Sequence, residues 1–193
     1  MRIYDKSKGV KGVALNDVDR STILPAYTAW LNMLRRCYDR SHYEKFPTYA
    51  GCSVCNEWLR FSNFQAWYNE HYRNGYELDK DIICKGNKVY GPEFCDFVPK
   101  KINYLLCKSK GKRGEFPIGV TYKKDKGQFK AYMLVNRKQV HLGYFNNPDE
   151  AFDAYKKAKE EHIKEVAKES FENGEISERI FNALMQYEVE ITD

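Results

Sequence analysis

The side chains best suited to chemistry lie in residues 75–106, GYELDKDIICKGNKVYGPEFCDFVPKKINYLL. Asp79 and Asp81 are two positions apart on a predicted strand, so their carboxylates should project from the same face. Carboxylate oxygens are hard ligands, which Mg²⁺ and Mn²⁺ prefer. Two carboxylates that point at one divalent ion can hold it against a phosphate group. The spacing therefore allows a metal site for phosphate chemistry.

The surrounding residues predict the elements that must position these carboxylates. YELDKDII has the character of a strand, and CDFVP is a second short strand. The segment between them, CKGNKVYGPE, is rich in turn residues, with Gly86-Asn87 and Gly91-Pro92 as breakers of regular structure. KKINYLL begins a helix after Pro99. The predicted order is strand, loop, strand and helix.

This order and its residues resemble the ββα-metal (HNH) nuclease motif of phage and intron-borne homing endonucleases. The resemblance implies that Asp79 ligates a divalent metal and that Asn103, on the helix, completes the metal shell. It implies that Asn87 is the loop residue that orients the general base, and that the cofactor is Mg²⁺ or Mn²⁺. Lys80 occupies the position at which that family carries its general-base histidine.

Lys80 leaves the catalytic mechanism open. A lysine acts as a base only if its pKa falls strongly. Otherwise the base is Asp81 or a metal-bound hydroxide, or the site has no base. If the fold is ββα-metal, the side chain of Lys80 lies on the face opposite Asp79 and Asp81. From that face it could hold the scissile phosphate as a cationic clamp, which needs no lowered pKa.

A strongly basic stretch extends from Lys108 to His141. It contains ten Lys and Arg residues against two acids, Glu115 and Asp125, although the whole chain carries only +5. A local excess of this size favours a polyanion as the partner.

Residues 118–170 predict three strands followed by a helix. Hairpin turns are expected at residues 125–127 and 136–138, and the sequence NPDE at 147–150 has the cap, proline and acids of a helix start. The segments GVTYKKDKGQFKAYM, VHLGYF and NNPDEAFDAYKKAK resemble the AP2 (ERF-type) DNA-binding domain. The resemblance implies a three-stranded antiparallel sheet packed on one helix, with the outer face of the sheet in the major groove of double-stranded DNA.

Strand alternation divides the side chains of this sheet between two faces. The mainly apolar set can cover the helix: Val120, Tyr122, Phe129, Ala131, Met133, Val140 and Leu142. The other face is basic and rich in hydrogen-bonding groups, which suit phosphates and base edges. With its flanking turns it supplies the predicted DNA-binding residues: Thr121, Lys123, Lys124, Lys126, Gln128, Lys130, Tyr132, Arg137, Lys138, Gln139 and His141. Plant AP2 domains carry mostly Arg and Trp on this face, so their GC-rich preference is not carried over to this chain.

The expected fold class is α+β, with two modules joined by a linker. Apolar stripes at helical spacing in YTAWLNMLRRCYDRS and CNEWLRFSNFQAWYNEHY predict helices that lead into the first module. These segments resemble the helical lead-in of the same phage proteins. The expected organisation is an N-terminal arm (1–25), a helical plus HNH-like ββα module (26–107), a basic linker (108–117), an AP2-like domain (118–170) and a helical extension (171–193).

We expect neither a structural zinc site nor a membrane-spanning segment in this protein. Cys52 and Cys55 form a C-x2-C pair, but Cys55 opens a predicted helix, and Cys84 and Cys95 are too far apart for a second knuckle. No apolar run reaches the length of a membrane span, and the first 13 residues lack the apolar core of a signal peptide. We expect an intracellular protein in the cytoplasm of a bacterial host.

Three functions from different classes follow from these features. The first is a metal-dependent HNH-like homing endonuclease or nickase on double-stranded DNA, of phage or mobile-element type. The second is a catalytically inactive HNH-like scaffold that acts as a sequence-specific DNA-binding or regulatory protein. The third is an interaction protein that blocks a host protein, which no specific feature favours. Lys80 favours the second function, whereas Asp79, Asp81 and Asn103 favour the first.

Overall fold

The protein has the mixed α+β architecture that its sequence predicts. A computed structural model describes residues 9–18, 25–106 and 115–191. They form two compact units that divide after Lys100. Most of the predicted linker, residues 108–117, lies outside the described residues. None of the described helices is both long and apolar enough to cross a membrane.

The first unit is built from helices and short strands around an aromatic core. Its elements are α1 (Pro25–Tyr38), α2 (Arg40–Lys45), β1 (Ser53–Val54), α3 (Phe61–His71), β2 (Tyr76–Asp79), β3 (Val89–Tyr90) and β4 (Asp96–Pro99). The predicted helical stripes form the core, in which Trp30, Trp58 and Phe64 are almost completely buried. The indole N–H of Trp30 donates to the carbonyl oxygen of Trp58 at 2.6 Å, so its polar edge is satisfied inside the core.

Residues 10–17, predicted to belong to an extended arm, pack onto the first unit. The N–H of Leu15 donates to the carbonyl of Leu59 at 2.8 Å, and the N–H of Phe61 donates to the carbonyl of Leu15 at 3.0 Å. Asp17 accepts from the backbone N–H of Ser62 at 3.0 Å. An acid at this position stabilises the first turn of a helix. The segment therefore helps α3 to begin at Phe61 rather than at Cys55, where the sequence predicted it.

Two small strand pairs hold the segment that carries the candidate chemistry. β2 and β4 are antiparallel, with Asp79 opposite Asp96, and β1 and β3 are parallel. Helix α4 (Lys100–Leu105) starts directly after β4. The order along the chain is thus strand, loop, strand and helix, as the sequence predicts, except that the predicted loop contains the two-residue strand β3.

The second unit contains a three-stranded antiparallel sheet that packs on a long helix. Its elements after α4 are β5 (Val120–Lys123), β6 (Gln128–Val135), β7 (Lys138–Phe145), α5 (Pro148–Glu172) and α6 (Glu178–Met185), with strand order β5-β6-β7. Asn136 and Arg137 have φ of 50° and 64° and form the β6–β7 hairpin turn. The side chain of Asn147 accepts from the N–H of Glu150 at 2.8 Å, which confirms the predicted cap of α5.

Gly119 determines how closely the start of β5 approaches α5. Its φ is +77°, and a Cβ there would lie 2.6 Å from Cε2 of Tyr155 and closer still to two other ring carbons. The ring of Tyr155 is buried on α5. Glycine is the residue that fits both the backbone angle and the close contact.

Candidate metal site and nucleic-acid interface

Asp79 ends strand β2 and organises the turn that follows it. Its Oδ1 accepts the backbone N–H of Asp81 at 2.9 Å and that of Ile82 at 2.8 Å. Burial, and after it the neighbouring charge of Asp81, together raise the pKa of Asp79 to about 6, although the two N–H donors act in the opposite direction. The carboxylate is therefore half-buried, held in place and protonated more readily than an ordinary aspartate.

Lys80 turns into the protein instead of projecting towards a substrate. Its side chain is only 8% exposed, and its Nζ lies 3.1 Å from Oδ2 of Asp81. The same Nζ donates to the carbonyl oxygen of Asn87 at 2.9 Å and lies 5.8 Å from the centre of the Tyr90 ring. The expectation that Lys80 lies opposite Asp81 was wrong, because β2 ends at Asp79 and strand alternation does not continue. A buried ammonium with these partners is not available as a phosphate clamp.

Asn87 fixes the loop between β2 and β3. Its Nδ2 donates to the carbonyl of Lys80 at 2.6 Å and to the carbonyl of Val89 at 2.7 Å. Its Oδ1 accepts the N–H of Val89 at 3.0 Å. Asn87 thus contacts residue 80 twice, through its side-chain amide to the Lys80 carbonyl and through its own carbonyl to the Lys80 Nζ.

The carboxylates predicted to bind a divalent metal, those of Asp79 and Asp81, adjoin at the end of β2. The side chain of Asp81 is 50% exposed. Among the described residues, no group of three or more His, Cys, Asp or Glu side chains is arranged to hold a metal ion. Mg²⁺ commonly uses one or two carboxylates together with water and substrate phosphates, so two carboxylates in one turn are sufficient in number for that mode. Asn103, the predicted helix ligand, lies on α4 beyond the unit boundary.

The sheet of the second unit places most of the predicted DNA-binding residues on one face. Residues opposite each other in the register share a face, and these pairs include Thr121 with Lys130, Lys123 with Gln128, and Tyr132 with His141. The other face carries buried Val120 and Ala131, and α5 packs on the sheet. The outer face comprises Thr121, Lys123, Gln128, Lys130, Tyr132, Leu134, Gln139, His141 and Tyr144.

The remaining predicted DNA-binding residues lie at the ends of the strands. Lys124 and Lys126 are exposed between β5 and β6, and Arg137 is exposed in the β6–β7 turn. Lys138 begins β7 opposite Val135, which puts it on the side of Ala131 and Met133. Lys138 is therefore exposed but does not belong to the outer face.

A β-bulge in β7 brings Tyr144 to the outer face. Ala131 pairs with Gly143 and Tyr132 pairs with His141, so Leu142 is the extra residue between them. Alternation alone would have placed Tyr144 with Val140 on the helix side. Gly143 was the available signal, since a glycine inside a predicted strand often marks a bulge.

The outer face combines cations with aromatic rings and amides. Nζ of Lys126 lies 4.0 Å from the centre of the Tyr144 ring, and the rings of His141 and Tyr144 are 4.7 Å apart. Nζ of Lys130 donates to Oε1 of Gln139 at 2.7 Å. Asp125 is the only acid in the sequence from 120 to 147. The face therefore presents positive charge and hydrogen-bonding groups without a neutralising carboxylate on it.

No family model, curated protein or solved structure matches this chain.

Proposed function

We propose that this chain is a double-stranded DNA-binding protein that places the outer face of its β5–β7 sheet in the major groove. The observation that carries the proposal is the acid-free outer face, backed by α5 on the other side. The major groove admits a narrow β-ribbon, and a positive surface is drawn to the phosphates on both sides of it. The resemblance to AP2 domains supports the same mode of docking.

The chemistry of the outer face assigns different tasks to its side chains. Lys123 and Lys130 suit phosphate oxygens or guanine edges, and Gln128 and Gln139 can pair with adenine. The outer face has no arginine, the residue that most often reads guanine through a bidentate contact. Contacts to phosphates therefore supply much of the affinity, and affinity should depend strongly on salt.

Salt dependence tests this proposal. Lys123→Ala combined with Lys130→Ala should lower the slope of log affinity against log salt by about two, since each lost phosphate contact removes about 0.9. Lys157→Ala combined with Lys168→Ala removes the same charge from exposed positions on α5 and should leave the slope unchanged. An unchanged slope in the first variant contradicts docking through the outer face.

A second candidate function is metal-dependent cleavage of DNA by the first unit. The specific observation is the turn in which Asp79 and Asp81 adjoin at the end of β2, with Asn87 fixing the loop at the carbonyl of Lys80. Together with the strand, loop, strand and helix order and the resemblance to HNH nucleases, this arrangement supports the candidate function. Bound Mg²⁺ or Mn²⁺ would polarise the scissile phosphate. Because Lys80 is buried, Asp81 is the side chain in this turn that is exposed enough to accept a proton from an attacking water.

Plasmid cleavage distinguishes a nuclease from a scaffold. Wild-type protein should convert supercoiled plasmid to relaxed or linear product in Mg²⁺ or Mn²⁺. Asp79→Asn should abolish conversion, because the amide keeps an oxygen for the two N–H donors but loses the charge that a metal needs. If the wild type yields no product with either metal, the first unit is a scaffold and the DNA-binding function stands alone.

A further inference from the structure

Leu134 is an apolar residue on a face that otherwise presents charged and hydrogen-bonding side chains. It lies on the outer face of β6 and is 61% exposed. Of the nine residues of the outer face, Leu134 alone is aliphatic. A single exposed leucine is ordinary on a protein surface. On a surface proposed to enter the major groove, however, it meets a groove that contains one aliphatic group, the methyl of thymine.

The side chain next to Leu134 on the outer face is the amide of Gln139. Gln139 lies directly opposite on β7, so the two side chains adjoin on the outer face. Oε1 of Gln139 accepts from Lys130, which leaves a second lone pair and both amide N–H groups for another partner. The outer face thus offers a donor-and-acceptor amide beside an apolar group.

An A·T base pair presents the matching pattern in the major groove. Adenine shows an acceptor at N7 and a donor at N6, and thymine shows an acceptor at O4 followed by its methyl group. Cytosine offers an N4 donor and no methyl group. Leucine would leave that donor without an acceptor, which is costly in a buried interface.

We infer that Leu134 reads the 5-methyl group of thymine while Gln139 pairs with adenine, so that the DNA site of this protein contains an A·T pair at that position. The inference rests on the proposed function, because it requires the outer face to lie in the major groove. It adds a base preference that the lysines of the face cannot supply, since phosphate contacts carry no sequence information.

Replacement of thymine by uracil tests the inference, because it removes the methyl group and changes no charge. The probes are alternating dA–dT and dA–dU duplexes of equal length. Wild-type protein should bind dA–dT about fourfold more tightly, the factor that burial of one methyl-sized group typically gives. Leu134→Ala should bind the two duplexes equally. Val140→Ala is the matched control: it is partly exposed on the other face of the sheet and should keep the wild-type preference.

The outcomes separate this inference from the proposed function. Equal binding of the two duplexes by wild-type protein overturns the inference and leaves DNA binding intact. A preference that persists in Leu134→Ala assigns the methyl contact to another residue and also overturns it. If wild-type protein binds neither of these duplexes nor a mixed-sequence duplex, the proposed function itself fails.

Discussion

Gly119→Ala should destabilise the second unit far more than an ordinary glycine substitution. The added Cβ would lie 2.6 Å from Cε2 of Tyr155 and closer to two other ring carbons, at a backbone φ of +77°. The ring of Tyr155 is buried, so it cannot move aside without loss of packing. Two penalties therefore act together, one from the backbone and one from the overlap.

The size of each penalty can be estimated separately. A positive φ costs a residue with a Cβ about 1–2 kcal/mol. Overpacking of a buried site costs about 1–3 kcal/mol. Gly119→Ala should thus lower the free energy of unfolding by about 2–5 kcal/mol. Gly127→Ala is the matched control, because its φ is +64° but no atom lies within 4 Å of the added Cβ. The control should show the backbone penalty alone.

Native-state hydrogen exchange of the β6 amides measures the stability of the second unit directly. All three tryptophans lie in the first unit, so the unfolding transition followed by tryptophan fluorescence serves as an internal control and should not move. If Gly119→Ala and Gly127→Ala destabilise β6 equally, the close contact with Tyr155 does not set the position of β5, and the packing argument is wrong.

Three further variants test the local interactions. Lys80→Met should destabilise the first unit by about 1–2 kcal/mol, because loss of the charged hydrogen bond to Asn87 is only partly offset by removal of a buried charge. The unfolding free energy is followed by tryptophan fluorescence. The control, Lys100→Met at an exposed position, should change it by less than about 0.5 kcal/mol. The pKa of Asp79 is raised to about 6, so the stability that protonated Asp79 contributes is present below about pH 4 and is lost as pH rises through 6. Urea titrations across that range should show the unfolding free energy fall in wild type and not in Asp79→Asn. Asn147→Ala removes the cap of α5 and should cost the second unit about 1 kcal/mol, measured by the same hydrogen exchange.

The aromatic core and the helix starts could be predicted because their signals are local. Trp30 and Phe64 recur at helical spacing with other apolar residues, and both are buried. Asn147 carries a side chain that caps helices, and it accepts the expected backbone N–H. The outer face of β5 and β6 follows from strand alternation in the same way.

Two features of the sites could not be predicted, because both depend on where strand alternation stops. The carboxylate of Asp79 captures two backbone N–H groups and ends the strand, which turns Lys80 inward. Aspartate is known to compete with regular structure in this way, but the sequence does not show which aspartate will do so. The bulge at Leu142 moves Tyr144 to the outer face, and Gly143 was its only local sign.

Photo-crosslinking from the two faces of the sheet tests whether the outer face docks on DNA. Tyr122 and Tyr132 lie on neighbouring strands but on opposite faces, and Tyr122 is the more exposed of the two. A benzophenone amino acid placed at either position is bound to a labelled mixed-sequence duplex and irradiated. Docking of the outer face predicts crosslinks to DNA from position 132 and few or none from position 122. Crosslinks from position 122 without any from position 132 would contradict docking through the outer face.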